Sequence, residues 1–122
     1  MKFSRLQTLA ETELRRLLPT LPPPVRAAAA DLPVAYLPRP DAPLLRDGIE
    51  PDTLGLFVGP ALNESPDADP LPPEILLFLS NLWDYAEESL PDYLEEIRIT
   101  YLHELGHYLG LDETDLLHRD LD

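Results

Sequence analysis

Cysteine is missing from all 122 residues of the chain. Disulfides, thiolate–zinc sites and thiol catalysis are therefore excluded, and the composition suits a reducing, cytoplasmic setting. Methionine and tryptophan occur once each, and lysine only at Lys2. Labile residues are scarce while proline reaches 15, a balance that fits a thermophile and also high-GC codon usage. Long apolar runs are absent too. The longest, Ile75 to Leu79, is far too short to span a bilayer, so no membrane partner is expected. Met1-Lys2-Phe3-Ser4 opens an amphipathic segment and lacks the apolar stretch and small-residue site of a signal peptide. Basic charge is the last shortage. The net charge is −14, with seven basic and four acidic side chains in residues 1–46, and two basic and nineteen acidic after them. No nucleic-acid partner is expected, since a phosphate backbone needs a basic footprint. The acidic balance is first a contribution to solubility, and it is also compatible with a basic peptide as substrate.

What remains is ordinary for a globular chain. A hydrophobic content of 44% over this length is enough for one domain, residues 1–122, with its own core. Phe3, Leu6, Leu9, Leu14, Leu17 and Leu18 fall near helical spacing, and Pro19 with Pro22-Pro23-Pro24 stops that helix. Val25 to Asp31 reads as a short helical turn and Leu32 to Pro38 as a short strand between prolines. Residues 39–53 are turn-rich. Leu54 to Gly59 reads as a second strand with glycines at its ends, and residues 60–73 as a proline- and acid-rich mobile loop. Glu74 to Ser80 reads as a buried strand by its length, with Asn81 to Glu88 helical or turn. Trp83 is expected in the core or a cleft wall.

The last helix is predicted from about Pro91 to Leu109, with Ser89-Leu90-Pro91-Asp92 as its capped start and Gly110 as its left-handed stop. At about 100° per residue, Leu94, Ile97, Tyr101, Leu105 and Tyr108 share one stripe, and His103 and His107 fall nearly opposite, beside Glu96 and Thr100. Histidines serving the core would lie on the apolar stripe; these do not. The segment His103-Glu104-Leu105-Gly106-His107 is an H-E-x-x-H sequence, extended to H-E-x-x-H-x-x-G-x-x-E by Gly110 and Glu113. Two imidazoles one turn apart can share one Zn²⁺, and the glutamate between them is placed to take a proton from the water the metal activates. A turn at Gly110 allows Glu113 to return as a third ligand, completing three protein groups and an open position. Asp112, Asp115 and His118 lie near enough in sequence to compete for that role.

This motif resembles the zincin metallopeptidases, and within them the metzincin pattern with an acidic third ligand. More closely, the chain resembles the small bacterial minimal zincins. The resemblance draws on the N-terminal helix with its Leu-Pro ending, on Gly55-Leu56-Phe57-Val58-Gly59, on Ile75–Leu79, and on Thr100 to Asp112. It implies an α+β fold in which a small mixed sheet packs against two main helices, with the active-site helix near the C-terminus. It also implies a zinc site in a cleft beside an edge strand, here Leu54 to Gly59. Leu56, Phe57 and Val58 would then hold an extended peptide by strand addition. The chain departs from the metzincins in one respect: they carry a methionine turn beyond the third ligand, and the only methionine here is Met1.

The expected function is hydrolysis of a peptide bond in a peptide or protein substrate. Zn²⁺ would be held by His103, His107 and Glu113, and Glu104 would act as general base. The alternatives are a non-catalytic zinc-binding module that recruits a partner peptide, and hydrolysis of a non-peptide amide.

Overall fold

The computed structural model describes residues 1–62, 64 and 71–111. Helix α1, Phe3–Leu17, forms because Leu6, Ala10 and Leu14 repeat every four residues and bury one face. Each leucine buried this fully contributes roughly 1.5–3 kcal/mol. Glu13 is buried on the same helix and pairs with Arg16 and with Arg98 of the last helix at 3.3 and 3.1 Å. A 3-10 turn over Leu18–Thr20 ends α1 at Pro19.

The proline run that stops α1 also starts the next helix. Helix α2 covers Pro23–Ala30, longer than the turn expected from Val25, because Pro23 and Pro24 occupy its first two positions. The amides there have no intrahelical acceptor, so proline loses nothing and its φ is already helical. The segment 39–53, expected to be turns alone, holds a short helix α3, Ala42–Arg46. Asp41 caps it, its carboxylate accepting from the Leu44 amide at 3.1 Å, and Pro43 sits in the first turn.

The sheet has three strands in the order β1-β3-β2. Strand β1, Val34–Leu37, runs parallel to β3, Glu74–Phe78, with Val34 opposite Ile75. Strand β2, Gly55–Val58, runs antiparallel to β3, with Gly55 opposite Leu77 and Phe57 opposite Ile75. The central position of β3 explains its unbroken apolar run: Ile75, Leu76, Leu77 and Phe78 are all buried. The expected strand to Ser80 is cut short, because helix α4, Leu79–Tyr85, begins immediately after Phe78. Leu79 and Leu82 are fully buried at helical spacing, so the apolar run serves two elements with no punctuation between them.

Helix α5 covers Leu90–Tyr108. The Ser89 hydroxyl faces the Asp92 amide at 3.5 Å, and Pro91 lies in the first turn. Its buried face is Tyr93, Ile97, Thr100, Tyr101, Leu105, Gly106 and Tyr108. Leu94, expected in the core stripe, is only half-buried, and Tyr93 beside it is fully buried instead. Tyr93 satisfies its hydroxyl by donating to the Leu6 carbonyl at 2.8 Å, which ties α5 to α1. Trp83 packs edge-on against Tyr93 at 5.6 Å and is partly buried against the core. The observed architecture is thus α+β, a small mixed sheet packed against α5, with α1 packed on α5 and α4. No helix among the described residues is long and apolar enough to cross a membrane.

Candidate metal centre

The site lies on the last two turns of α5, where three features of the sequence meet. The first is the helix itself, which puts residues four apart on one side. His103 Nε2 and His107 Nε2 stand 3.1 Å apart, with their rings crossed at 77° and centroids 4.7 Å apart. The second is the stop at Gly110, whose φ of 78° is left-handed. The Leu111 amide donates to the Gly106 carbonyl and the Gly110 amide to the His107 carbonyl, both at 3.0 Å, closing α5 in a Schellman turn. The helix therefore stops one residue after His107. The Leu62 amide also donates to the Tyr108 carbonyl at 2.8 Å, pinning the segment after β2 to this end of the helix.

The third feature is the approach of β2. Thr100, expected beside the histidines on the exposed side, is buried instead. Its methyl group lies against Gly55, so close that a Cβ on Gly55 would fall 2.5 Å from it. Glycine is required there because helix and strand pack without room for a side chain. Phe57 on the same strand stacks obliquely on Tyr108, with ring centroids 5.7 Å apart. The histidine face is thus a margin between core and solvent, roofed on one side by an edge strand. His103 and Glu104 are half-buried and His107 is exposed.

Two clefts open along this margin and share Glu104. One, of about 310 Å³, is lined by Leu54, Gly55, Tyr85, Glu96, Ile99, Thr100, His103 and Glu104. The other, of about 410 Å³, is lined by Leu56, Phe57, Gly59, Ala61, Glu64, Glu104 and His107. Leu56 and Phe57 therefore meet the site residues, whereas Val58 does not line either cleft. Sequence reasoning missed Glu64 and Tyr85, since nothing in the acidic loop or at the end of α4 marks them as neighbours of the histidines. Burial, followed by the nearby charges of Glu95 and Asp92, raises the Glu96 carboxyl above its ordinary pKa.

Among the described residues, His103, Glu104 and His107 are the group able to hold a metal ion, their candidate ligand atoms lying within 4.8 Å of one another. The donor set fits Zn²⁺. Two imidazole nitrogens on one tetrahedral zinc stand about 3.3 Å apart, from bond lengths of about 2.0–2.1 Å, close to the separation of the two Nε2 atoms. Two ring lone pairs facing each other at this range need either a proton or a cation between them. Glu113 and its competitors Asp112, Asp115 and His118 lie outside the described residues.

A family model for zincin-like metallopeptidases matches residues 29–121. The chain belongs to that family. The match runs from the end of α2 through the whole sheet, α4 and α5, so it covers the histidine pair together with the strand that roofs it. A search of curated proteins found no match. Membership of the family implies zinc as the metal, which agrees with the donor set on α5.

Proposed function

We propose that this zincin-like protein hydrolyses peptide bonds with one Zn²⁺ at His103 and His107, with Glu113 as third ligand. The observation that carries the reading is the pair of facing Nε2 atoms with Glu104 beside them, in the wall of a groove that follows an edge strand. Zn²⁺, when bound, supplies Lewis acidity: it lowers the pKa of water to about 7 and polarises the scissile carbonyl.

The chain's own residues do the rest. Among the described residues β2 pairs only with β3, so its outer edge offers unpaired amides and carbonyls. An extended substrate adds along Leu56, Phe57 and Val58 by main-chain hydrogen bonds, which aligns its backbone without demanding a particular side chain. Glu104 is half-buried, lines both clefts and lies beside the histidine pair, which supports a role for it at the scissile bond. Its carboxylate accepts the proton of the attacking water as the new C–O bond forms. It then hands the proton to the departing nitrogen as the C–N bond breaks.

The test is peptide turnover by zinc-loaded protein, with products read by mass spectrometry beside Glu104→Gln. Wild type is expected to cleave, and the variant to lose on the order of 10²-fold or more of the rate while still binding zinc. Equal cleavage by both proteins would overturn the reading. Peptide binding and zinc binding without cleavage would instead leave a peptide-recruiting zinc module.

A further inference from the structure

The two clefts that share Glu104 continue into a third. A cleft of about 530 Å³ shares Leu54 and Tyr85 with the His103 side and is also lined by Arg39, Asp52, Asn81 and Asp84. Among the described residues, the lining of these three connected clefts holds five carboxylates, Asp52, Asp84, Glu96, Glu104 and Glu64, and one guanidinium. That guanidinium is already engaged. Arg39 donates to Asn81 Oδ1 at 2.6 Å and pairs with Asp84 at 3.0 Å. Asn81 is buried and fixed in turn by donating to the Pro51 and Thr53 carbonyls, both at 2.8 Å. Arg39 is thus locked to the groove wall rather than offered to a ligand.

Glu96 differs from the other acids of the groove. It shares the cleft of His103 and Glu104, and no hydrogen bond or ion pair engages it among the described residues. It is half-buried, and the charges that act on it, those of Glu95 and Asp92, carry the same sign. A carboxylate so placed gains most from a cation brought by a ligand.

From this we infer that the groove selects cationic peptides, and that Glu96 receives a lysine or arginine side chain of the substrate on the His103 side of the scissile bond. The acidic walls concentrate such peptides and repel acidic ones. Exposed Tyr85 at the cleft junction lies where the aliphatic stem of that side chain must pass. Glu96 is a specificity-determining residue here and takes no part in bond cleavage. The inference rests on the peptidase reading for what the groove does, but its test reads binding separately from turnover.

The experiment uses zinc-loaded Glu104→Gln protein and fluorescent peptides of one length that differ only in a central Lys, Gln or Glu. Anisotropy is measured at low and high salt. Affinity is expected in the order Lys, Gln, Glu, with steps of about two- to fivefold that shrink at high salt. Adding Glu96→Gln should remove most of the Lys preference, whereas Glu95→Gln, an equal change of net charge on the exposed side, should keep it. Equal affinity for the three peptides, no binding of any, or equal effects of the two substitutions would overturn the inference. Wild-type protein given the same peptides separates the two ideas. Cleavage without a Lys preference sinks the inference alone, and Lys-selective binding without cleavage sinks the peptidase reading alone.

Discussion

Gly55 shows how one missing side chain sets the width of the site. Its backbone sits against the Thr100 methyl group, 2.5 Å from where a Cβ would stand, and a β-branched side chain has few χ1 rotamers on a helix with which to yield. Gly55→Ala is therefore expected to push β2 off α5, at a cost of about 1–3 kcal/mol, and to lower peptide turnover by displacing the strand edge from Glu104. Because the clash is with one side chain, Gly55→Ala combined with Thr100→Ala should recover much of the lost stability in urea denaturation. Strict additivity of the two substitutions would show that the contact is not the cause. The sequence marked this glycine only as the start of a strand. That it faces Thr100 depends on a contact between residues 45 positions apart, which no local pattern carries.

At the scale of elements, the site helix is held from both ends. Its C-terminal end is closed by the left-handed turn at Gly110, and its body is tied to α1 by Tyr93 and by the Glu13–Arg98 pair. Glu13 is buried while Arg98 remains 40% exposed, so removing the acid leaves an arginine that water can still reach. Glu13→Ala is expected to cost about 2 kcal/mol, the loss of a charge-assisted contact rather than of a fully buried ion pair. A midpoint in urea unchanged from wild type would count against that role. The turn between α4 and α5 is less well built. Glu87 and Glu88 hold φ of 55° and 60°, and the Glu88 amide donates to the Trp83 carbonyl, as in a turn usually closed by glycine. Glu87→Gly is expected to raise stability by about 0.5–1 kcal/mol, since it relieves a left-handed L-residue. Thermal or urea denaturation that shows a loss instead would mean the turn carries no such strain.

For the molecule as a whole, the tyrosines make stability sensitive to alkali. Burial raises the Tyr101 hydroxyl from 10.0 to about 12, and Tyr36 pushes it in the same direction. Burial, then Glu11, likewise raises Tyr36 to about 12 against the opposing Arg15. Below pH 10 both are neutral whether the chain is folded or not, and their contribution is complete. Between pH 10 and 12 the unfolded chain loses these protons first, so stability falls as pH rises through that window. A tenfold difference in proton affinity between the folded and unfolded chain is worth about 1.4 kcal/mol, which puts the share of Tyr101 near 2–3 kcal/mol. The single lysine leaves few other groups titrating there. Urea midpoints measured from pH 8 to 11.5 should decline above pH 10, and less steeply in Tyr101→Phe. A flat profile would remove the buried tyrosines from the account.

The sequence by itself determined the elements whose signals are local. The extent of α5, its stop at Gly110, the apolar character of β3 and the placing of two imidazoles on one side of a helix all follow from caps, breakers and period. Those depend on neighbours within a turn or two. Local signals also existed for α3 and for the early start of α2, in the Asp41 cap and the Pro23-Pro24 opening, but they compete with the reading of proline as a breaker. Tertiary structure alone decided the rest. It moved Thr100 from the solvent side to the roof of the site, split the run from Glu74 into a strand and a helix, and chose Tyr93 over Leu94 for the core. It also joined Glu64 and Tyr85 to the histidines. In each case the deciding term was burial against a segment distant in sequence, and period within one helix cannot encode which distant strand comes to rest on it.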